Sequence, residues 1–374
     1  MSAEPADPMD TLRLLAAGLV LQHQACARGA ILDARDDRGR TLTPKLLLRA
    51  QARLSRLQIA SGNLARADSL HQLVVDCTRP LGDWAPDALL DGHEDLAELV
   101  LIDPGVRSPT PECVSLGQEG QNLADLKENL WFDKLRETLR AVPLAQSRAD
   151  AYTRLRRFIV AHPAATQAEL DSLIRELDAL TLLPLLGPLV HEMYPPLAGG
   201  SEGPVARCGH CGSLVETGDP PHCTSARCRE EHPDVHLRDW VDPAQLRVLR
   251  GELVLYWVNP GRDELRLYQA LKEHRDDVTL YPNQDEVDLG LGGEREIGLD
   301  LKDYASMPTL ARRFQRELGD LAFYRRGIVV VTDRGTRVRG EARRDQLREK
   351  FAELRIPLEV MTVHDVLSTF GRPA

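Results

Sequence analysis

The first half of the chain carries apolar residues at helical spacing. Leu12, Leu15 and Leu19 lie three or four residues apart, as on one face of an amphipathic helix. Thr166 followed by Glu169 forms a capping box that opens a later helix. Further helical patterns cover residues 46–57, 123–139 and 148–160, with a turn expected at 103–105 and a loop over 107–121. We therefore predict an α-helical domain over residues 1–195.

From residue 245 the pattern alternates between helices and strands. Gly327–Thr332 is an almost unbroken β-branched run, which is typical of a strand buried on both faces. Asp263–His274 places Leu265, Tyr268 and Leu271 on one helical face. We expect further strands at 253–258, 278–280 and 357–361, a turn at 260–261, and helices at 309–321, 343–354 and 363–370. From residue 263 the order αβββαβαβα predicts a mixed α/β domain within residues 245–374.

The stretch Tyr281–Tyr304 predicts a β-hairpin that carries acidic residues on both strands. The first strand would hold Asp285, Glu286 and Asp288. Glycines at 290, 292 and 293 favour a turn, because glycine adopts positive φ at little steric cost. The second strand, residues 296–301, runs into Asp300 and Lys302.

The spacing within this hairpin predicts a metal site. Residues two apart in a strand share a face, so Asp300 and Lys302 point the same way and Leu301 turns into the core. If Asp288 lies opposite, two carboxylates meet, and oxygen ligands suit Mg²⁺ or Mn²⁺. Such an ion can activate water and stabilise charge on a phosphate. Asp285 competes with Asp288 for the first position, and a surface hairpin with solvated acids is the alternative.

Four cysteines form a second candidate metal site. Cys208, Cys211, Cys223 and Cys228 follow the spacing C-x2-C-x11-C-x4-C, which supplies four thiolates to a structural Zn²⁺. A pair of disulfides is the alternative, and His222 could replace one of the cysteines. Met193–Pro204 has the composition of a linker, so we predict a zinc ribbon over residues 196–244.

Charge is unevenly distributed along the chain. The net charge of −10 argues against a generally basic nucleic-acid binder. Residues 312–350, however, contain 12 basic and 6 acidic residues. This cluster predicts either a surface for a phosphate backbone or a solvated helix face laced with ion pairs. No apolar run approaches the roughly 20 residues of a membrane span, and the acidic N-terminus lacks a signal-peptide pattern, so we expect a cytoplasmic protein.

The hairpin motif resembles a known nuclease family. Asp288 followed by Asp300-x-Lys302 resembles the PD-(D/E)xK motif of restriction-endonuclease-like folds. The sequences LYPNQDEVDL, DLKDY and ELRLY, the last at Glu264–Tyr268, resemble the restriction-endonuclease-like protein encoded beside prokaryotic PIWI-RE proteins in phage-defence islands. The resemblance covers residues from 245 onward well, the cysteine segment moderately and the helical half weakly.

The resemblance implies roles for individual residues. Asp288 and Asp300 would hold Mg²⁺ together with the Leu301 carbonyl, and Lys302 would position the attacking water. Glu264, on the first helix of the family domain, would support the metal site. An acidic residue near a helix N-terminus also has a purely structural explanation, since the helix dipole favours it there.

Two functions from different classes follow from these observations. The first is a metal-dependent endonuclease that cuts DNA within a defence system, with a PIWI-like protein and a helicase as partners. The second is a catalytically inactive nuclease-fold subunit with a zinc ribbon that binds nucleic acid or scaffolds a complex. A nucleotide-binding fold built on residues 327–335 ranks last, because no glycine-rich phosphate loop follows the strand. RNA as the substrate and a homodimer remain open.

Overall fold

A computed structural model of the chain describes residues 8–27, 43–62, 69–119, 130–197, 203–332 and 337–371. The chain divides into two compact units. The first unit consists of Met1–Glu128 and Tyr304–Arg316, and the second consists of Asn129–Asp303 and Glu317–Ala374. The three-part division at residues 195 and 244 remains a prediction.

The described residues form sixteen α-helices and eleven strands. The helices are α1 Pro8–Ala27, α2 Lys45–Ala60, α3 Leu70–Asp76, α4 Asp87–Leu90, α5 Pro111–Glu119, α6 Leu130–Leu139, α7 Ala145–Ala161, α8 Gln167–Thr181, α9 Gly187–Met193, α10 Ala226–Glu231, α11 Gly251–Leu253, α12 Asn259–Lys272, α13 Pro282–Asp285, α14 Met307–Arg316, α15 Arg337–Leu354 and α16 Val363–Phe370. The strands are β1 Ala164–Thr166, β2 Val205–Cys208, β3 Leu214–Glu216, β4 His222–Cys223, β5 Leu237–Val241, β6 Leu246–Val248, β7 Val278–Leu280, β8 Leu289–Leu291, β9 Ile297–Lys302, β10 Arg326–Val331 and β11 Glu359–Thr362. Among these helices, none has the length and apolar character that crossing a membrane requires.

In the first unit, α1 packs closely against α2. A Cβ placed on Gly18 would lie 2.6 Å from the Cα of Leu47, so a larger residue would force the helices apart. Leu12, Leu15 and Leu19 of α1 are buried, as their spacing predicts. Residues 15–20 are all buried, because α1 packs against both α2 and α5.

The loop expected over residues 107–121 is wrong for residues 111–119, which form α5. Pro111 is the first residue of this helix, where proline's missing N–H costs nothing. Cys113–Gly117 are buried on every side, so the segment shows no amphipathic period. Helix α14 of the same unit packs on α5, and the Arg312 Nε donates to Glu119 Oε1 at 3.0 Å.

The second unit contains a five-stranded sheet in the order β11-β10-β9-β8-β7. The pairs β7–β8 and β8–β9 are antiparallel, whereas β9–β10 and β10–β11 are parallel. Strand β10 has a neighbour on both sides and Ile328–Val331 are buried, as its β-branched sequence predicts. The elements from α12 onward follow the predicted order, with the short α13 added before β8.

The strand expected at 253–258 and the turn expected at 260–261 are both wrong. Residues 254–258 are π-helical and lead directly into α12, with Pro260 in its first turn. Proline lacks an N–H donor, and a π-helical turn before it shifts the backbone pairing around that gap. Trp257 and Val258 are buried here, so the apolar run reflects a buried helix instead of a strand.

A four-stranded antiparallel sheet, in the order β4-β3-β2-β5, carries the cysteine segment. Arg207 on β2 donates from Nε to Asp239 on β5 at 2.8 Å and from Nη1 to Glu169 at 2.7 Å. Glu169 also closes the predicted capping box with Thr166 at the start of α8, so the capping box is confirmed. One buried arginine therefore ties this sheet to the helical part of the second unit. The mixed helical and sheet composition is established, whereas assignment to the restriction-endonuclease-like fold stays a prediction.

Candidate functional site

The hairpin β8–β9 brings Asp288 opposite Asp300. Leu289 pairs with Leu299 and Leu291 with Ile297, so the next position of the antiparallel register sets 288 against 300. The Asp288 Oδ2 accepts a hydrogen bond from the Leu301 backbone N–H at 2.5 Å. Asp288 is only 8% exposed. The predicted hairpin is thus present, and Asp288 lies across from Asp300 in its register.

The turn of this hairpin is shorter than expected. Gly292 and Gly293 have φ of +79° and +108° and form the turn, as predicted. Gly290 instead lies within β8 and pairs with Gly298, which corrects its assignment to the turn. The strand begins only at Leu289, so the expectation that it holds Asp285, Glu286 and Asp288 is wrong: all three precede it, Asp288 directly.

Asp300 and Lys302 form an ion pair at the end of β9. The Lys302 Nζ donates to Asp300 Oδ1 at 2.7 Å, and both side chains are 19% exposed. Leu301 between them is buried. The alternation predicted for this strand therefore holds, and the ammonium group lies beside one of the two candidate metal ligands.

Glu264 lies on α12 and is 2% exposed. Its Oε2 accepts a hydrogen bond from the Tyr281 hydroxyl at 2.6 Å and lies 3.6 Å from Arg156 Nη2. The pKa of Glu264 is raised to about 7, mainly by burial, and the nearby Arg156 cation opposes that rise. Asp285 contributes to the rise and Lys302 opposes it, so Glu264 lies within electrostatic reach of both residues.

Asp285 occupies a strained turn before β8. Tyr281, Asn283, Gln284 and Asp285 all have positive φ, between 51° and 76°, a conformation that costs free energy for residues with side chains. The Asp285 Oδ2 accepts a hydrogen bond from the Tyr152 hydroxyl at 2.7 Å. Its Oδ1 is buried and has no hydrogen-bond partner among the described residues. The strand-alternation argument that set Asp285 against Asp288 does not apply, since Asp285 is not in a strand.

The carboxylates of this site influence one another. Burial is the largest cause that raises the pKa of Asp288, and the charges of Glu264, Asp300 and Asp285 raise it further. Burial likewise raises the pKa of Asp285, against the effect of Arg156. Four acids therefore share a desolvated region with two cations, Arg156 and Lys302. Such a cluster holds its negative charge poorly unless a cation compensates it.

The donor set suits a hard divalent cation in its chemistry. All four acids offer oxygen ligands, and the buried Asp285 Oδ1 lacks a partner within the described chain. Their ligand atoms do not converge as tightly as those of the cysteines: within the described ranges, only Cys208, Cys211, Cys223 and Cys228 place three or more such atoms within 4.8 Å of one another. Magnesium binding by the acids therefore stays a prediction.

The four predicted cysteines form a buried cluster. Cys208 Sγ lies 3.8 Å from Cys228 Sγ, and Cys211 Sγ lies 3.4 Å from Cys223 Sγ. Tetrahedral Zn²⁺ with metal–sulfur distances of about 2.3 Å separates its sulfurs by about 3.8 Å, so the cluster fits such an ion. All four are free thiols, and their separations exceed the roughly 2.05 Å of a disulfide. The cluster can hold a metal such as zinc.

The cysteine cluster lies in a small core with few apolar side chains. Besides the cysteines, the only apolar residues buried in this core, among those that the structure describes, are Ala206 and Val215, with Val235 partly buried against them. So few apolar groups supply little folding free energy, which metal binding can provide. His222 is not part of the cluster and lies 3.1 Å from Glu216. His210 stacks on His232 with ring centroids 4.2 Å apart.

Arginines of the basic cluster at 312–350 make contacts within the protein. Arg344 pairs with Asp365 at 2.9 Å, and Arg348 donates to the Val360 carbonyl at 2.9 Å. Arg316 donates to the Ser115 carbonyl at 3.2 Å, and Arg326 pairs with Glu359. These contacts favour a structural role for the cluster, although Arg334 lies outside the described residues. A phosphate-binding surface there remains a prediction.

Tyr281 opens the stretch from which the hairpin is predicted, but two other residues of the site, Tyr152 and Arg156, carry no signal in the sequence. They come from α7, more than 100 residues before the hairpin. The helical pattern of residues 148–160 places Tyr152 and Ile159 on the buried face but does not predict their neighbours. Neither local spacing nor a motif links these residues to the acids.

Two segments of the chain match known families. Residues 261–371 match the family described as "REase associating with pPIWI_RE". Residues 45–166 match "pPIWI_RE three-gene island domain Y", a segment where sequence reasoning found only a weak resemblance. No curated protein and no solved structure matches the chain. Two separate segments of the chain therefore match families of the pPIWI_RE island, and this confirms the resemblance carried by its hairpin.

Proposed function

We propose that this chain is a divalent-metal-dependent nuclease that hydrolyses phosphodiester bonds in DNA as part of a phage- or plasmid-defence system. The observation that carries the proposal is the hairpin. It sets Asp288 against Asp300 and places Lys302 on the same face, within the segment that matches the REase-associated family. The sheet supports the proposal, since antiparallel β8–β9 continues into parallel β10 and β11.

Asp288 and Asp300 would hold Mg²⁺ or Mn²⁺ with the Leu301 carbonyl, and Glu264 would support them. A bound divalent ion would lower the pKa of water and neutralise charge on the phosphate. Lys302 would orient the attacking water or donate to the phosphoryl oxygens as charge develops there. Water oxygen forms the new bond to phosphorus as one ester oxygen leaves, giving a phosphate and a hydroxyl end.

The cysteine cluster would serve this function as a structural zinc site. Four thiolates leave no open position on the metal, so catalysis would belong to the carboxylates alone. The family descriptions support association with pPIWI_RE proteins, and a helicase partner follows from the resemblance. A homodimer would supply two sites for cutting both strands of a duplex.

The decisive experiment is a cleavage assay with the full-length chain. Supercoiled plasmid, linear duplex, single-stranded DNA and RNA are incubated with Mg²⁺ or Mn²⁺, with and without the partner proteins. Wild type is compared with Lys302→Ala and with the control Lys272→Ala. Lys272 is exposed and donates only to the Asp276 carbonyl on the surface. Metal-dependent cutting that Lys302→Ala abolishes and Lys272→Ala retains supports the proposal.

One observation favours the alternative of an inactive binding or scaffolding subunit. One carboxylate oxygen of Asp288 accepts a hydrogen bond from the Leu301 amide, and the Lys302 ammonium group pairs with Asp300. The Asp288 carboxylate and the Lys302 ammonium group therefore both make contacts that stabilise the fold. Absence of cutting on every nucleic acid with either metal, alone and with partners, overturns the nuclease proposal. Retained binding of nucleic acid or partner in that case supports the alternative.

A further inference from the structure

We propose that Tyr152 and Arg156, on α7, are positioning residues of the candidate nuclease site, which orient Asp285 and Glu264. The inference rests on the proposed function and extends it. Helix α7 lies in the segment that matches domain Y, residues 45–166, whereas the acids lie in the segment that matches the REase-associated family. The site is therefore built from both family segments.

Arg156 is a buried cation with an unusual setting. It is 4% exposed, and its Nη2 lies 3.6 Å from Glu264 Oε2. Its guanidinium carbon lies 4.8 Å from the Trp257 ring centroid and 5.5 Å from that of Tyr281. Arginine stacks well on aromatic faces, so these two rings hold the guanidinium plane in one place. A fixed cation beside a carboxylate fixes the carboxylate as well.

Among the described residues, the Arg156 guanidinium has nitrogens that donate no hydrogen bond. Its Nε and Nη1 are buried and have no hydrogen-bond partner within the described chain. Burying a guanidinium removes its hydration, so a cation at this position must be compensated by the acids around it. Glu264 and Asp285 both raise the pKa of Arg156 through their charges. The arginine therefore acts on the acids.

Tyr152 holds the second acid. Its hydroxyl donates to Asp285 Oδ2 at 2.7 Å and leaves Oδ1 without a partner in the described residues. The ring is fully buried and lies edge-on to Tyr281, with centroids 6.1 Å apart. Tyr281 in turn donates to Glu264. Two tyrosines and one arginine thus form a continuous support for Glu264 and Asp285.

Close helix packing brings this support to the acids. A Cβ on Gly261 of α12 would lie 2.4 Å from Val160 Cγ2 of α7. The two helices therefore meet where only glycine fits, one turn away from both Arg156 and Glu264. Precise placement of ligating side chains commonly depends on such outer contacts, whose loss costs about 10–100-fold in metal affinity or activity.

The test uses variants that keep charge, so that altered metal binding reports on geometry. Full-length wild type, Arg156→Lys and Tyr152→Phe are titrated with Mn²⁺ and followed by electron paramagnetic resonance, and cleavage is assayed in parallel. We expect Mn²⁺ affinity and cleavage to fall roughly 10-fold in each variant, with a changed Mn²⁺ spectrum. Arg157→Lys, at the neighbouring exposed position of α7, is the control and should match wild type.

A double-mutant cycle shows whether Arg156 acts through Glu264. In a Glu264→Gln background, Arg156→Lys should have no further effect on Mn²⁺ affinity. Arg156→Lys and Tyr152→Phe that bind Mn²⁺ and cleave like wild type overturn this inference and leave the proposed function standing. An equal loss of Mn²⁺ affinity on Arg156→Lys in the wild-type and Glu264→Gln backgrounds also overturns the inference. A wild-type protein that neither binds Mn²⁺ nor cuts overturns the proposed function, and this inference falls with it.

Discussion

The Asp288 Oδ2 lies 2.5 Å from the Leu301 amide nitrogen, and this hydrogen bond joins the two sides of the candidate metal site. One carboxylate oxygen thus fixes the relative position of β8 and β9 near Asp300. Under the proposed function, the other oxygen would serve as a metal ligand. Asp288 would then combine a structural role with a chemical one, and suitable substitutions should separate the two.

Asp288→Asn should keep the hydrogen bond to the Leu301 N–H and lose the charged metal ligand. The amide oxygen can still accept the Leu301 N–H, but the charged ligand is gone, so Mn²⁺ affinity and cleavage should fall roughly 100-fold. Asp288→Ala should in addition leave a buried N–H unpaired and be about 1–3 kcal/mol less stable than Asp288→Asn. Urea denaturation and Mn²⁺ titration measure the two effects. Equal stability of the Asn and Ala variants would contradict the structural role.

Stability should depend on pH through Glu264. Its pKa in the folded chain is about 7, against 4.5 for an unperturbed glutamate, so the folded state binds the proton more tightly. The resulting stabilisation is complete below pH 4.5 and is lost as the pH rises to about 7. The loss amounts to about 3 kcal/mol. Glu264→Gln cannot ionise and should lack this part of the decline.

The measurement is the free energy of unfolding at pH 5 and pH 8, without added divalent ions. A chelator is omitted, because it would also remove metal from the cysteines. Asp285 and Asp288 contribute a decline of the same sign in both proteins, so only the difference between wild type and Glu264→Gln reports on Glu264. If the free energy of unfolding declined equally in wild type and Glu264→Gln, the raised pKa of Glu264 would be contradicted.

Metal bound by the four cysteines should stabilise the four-stranded sheet β4-β3-β2-β5. Purified wild type should contain one zinc ion per chain, and Cys223→Ser should lose it, because three thiolates and a hydroxyl bind zinc much more weakly. Elemental analysis gives the metal content, and limited proteolysis should then cut between residues 203 and 241. Cys26→Ser, at an exposed cysteine outside the cluster, is the control and should keep its zinc. Zinc retained by Cys223→Ser would refute a four-cysteine site.

Arg227 should be essential for stability. It pairs with Asp263, Asp303 and Glu231 and donates to the Asn259 carbonyl at 2.8 Å, linking α10 to α12. Arg227→Met removes the cation that these three partly buried acids share, so the free energy of unfolding should fall by about 3 kcal/mol. Arg325→Met, which breaks the exposed pair with Glu296, should cost less than about 1 kcal/mol. Similar losses in the two variants, measured by urea denaturation, would contradict the role of burial.

Local patterns in the sequence predicted the hairpin and the cysteine cluster well. The spacing of Asp300 and Lys302 fixes their common face, because strand geometry allows little else. The cysteines of each sequence pair are separated by only two or four residues, so they stay close together in the folded chain. The order of elements after residue 263 also follows from periodicity, because each helix and strand there has one clear apolar pattern.

The features of the fold and of the site that sequence patterns did not predict depend on contacts between residues far apart in the chain. Residues 254–258 are rich in strand-forming side chains, yet burial within a continuous helix overrides that preference. Asp285 reaches the site through a left-handed turn of non-glycine residues, which propensity disfavours. Arg156 and Tyr152 meet the acids only because α7 crosses α12 at Gly261. Such long-range contacts become visible only in the folded chain.

Helix α14 has a consequence for how the protein can be divided. The chain leaves the first unit at residue 128 and returns to it for residues 304–316 alone, inside the family-matched segment. Neither unit is a single stretch of polypeptide. Truncation after residue 128 would strip α5 of its partner helix, and fragments split at this position would still be held together through α14 packed on α5. Expression of the REase-matched segment by itself would therefore expose the face of α14 that this packing covers.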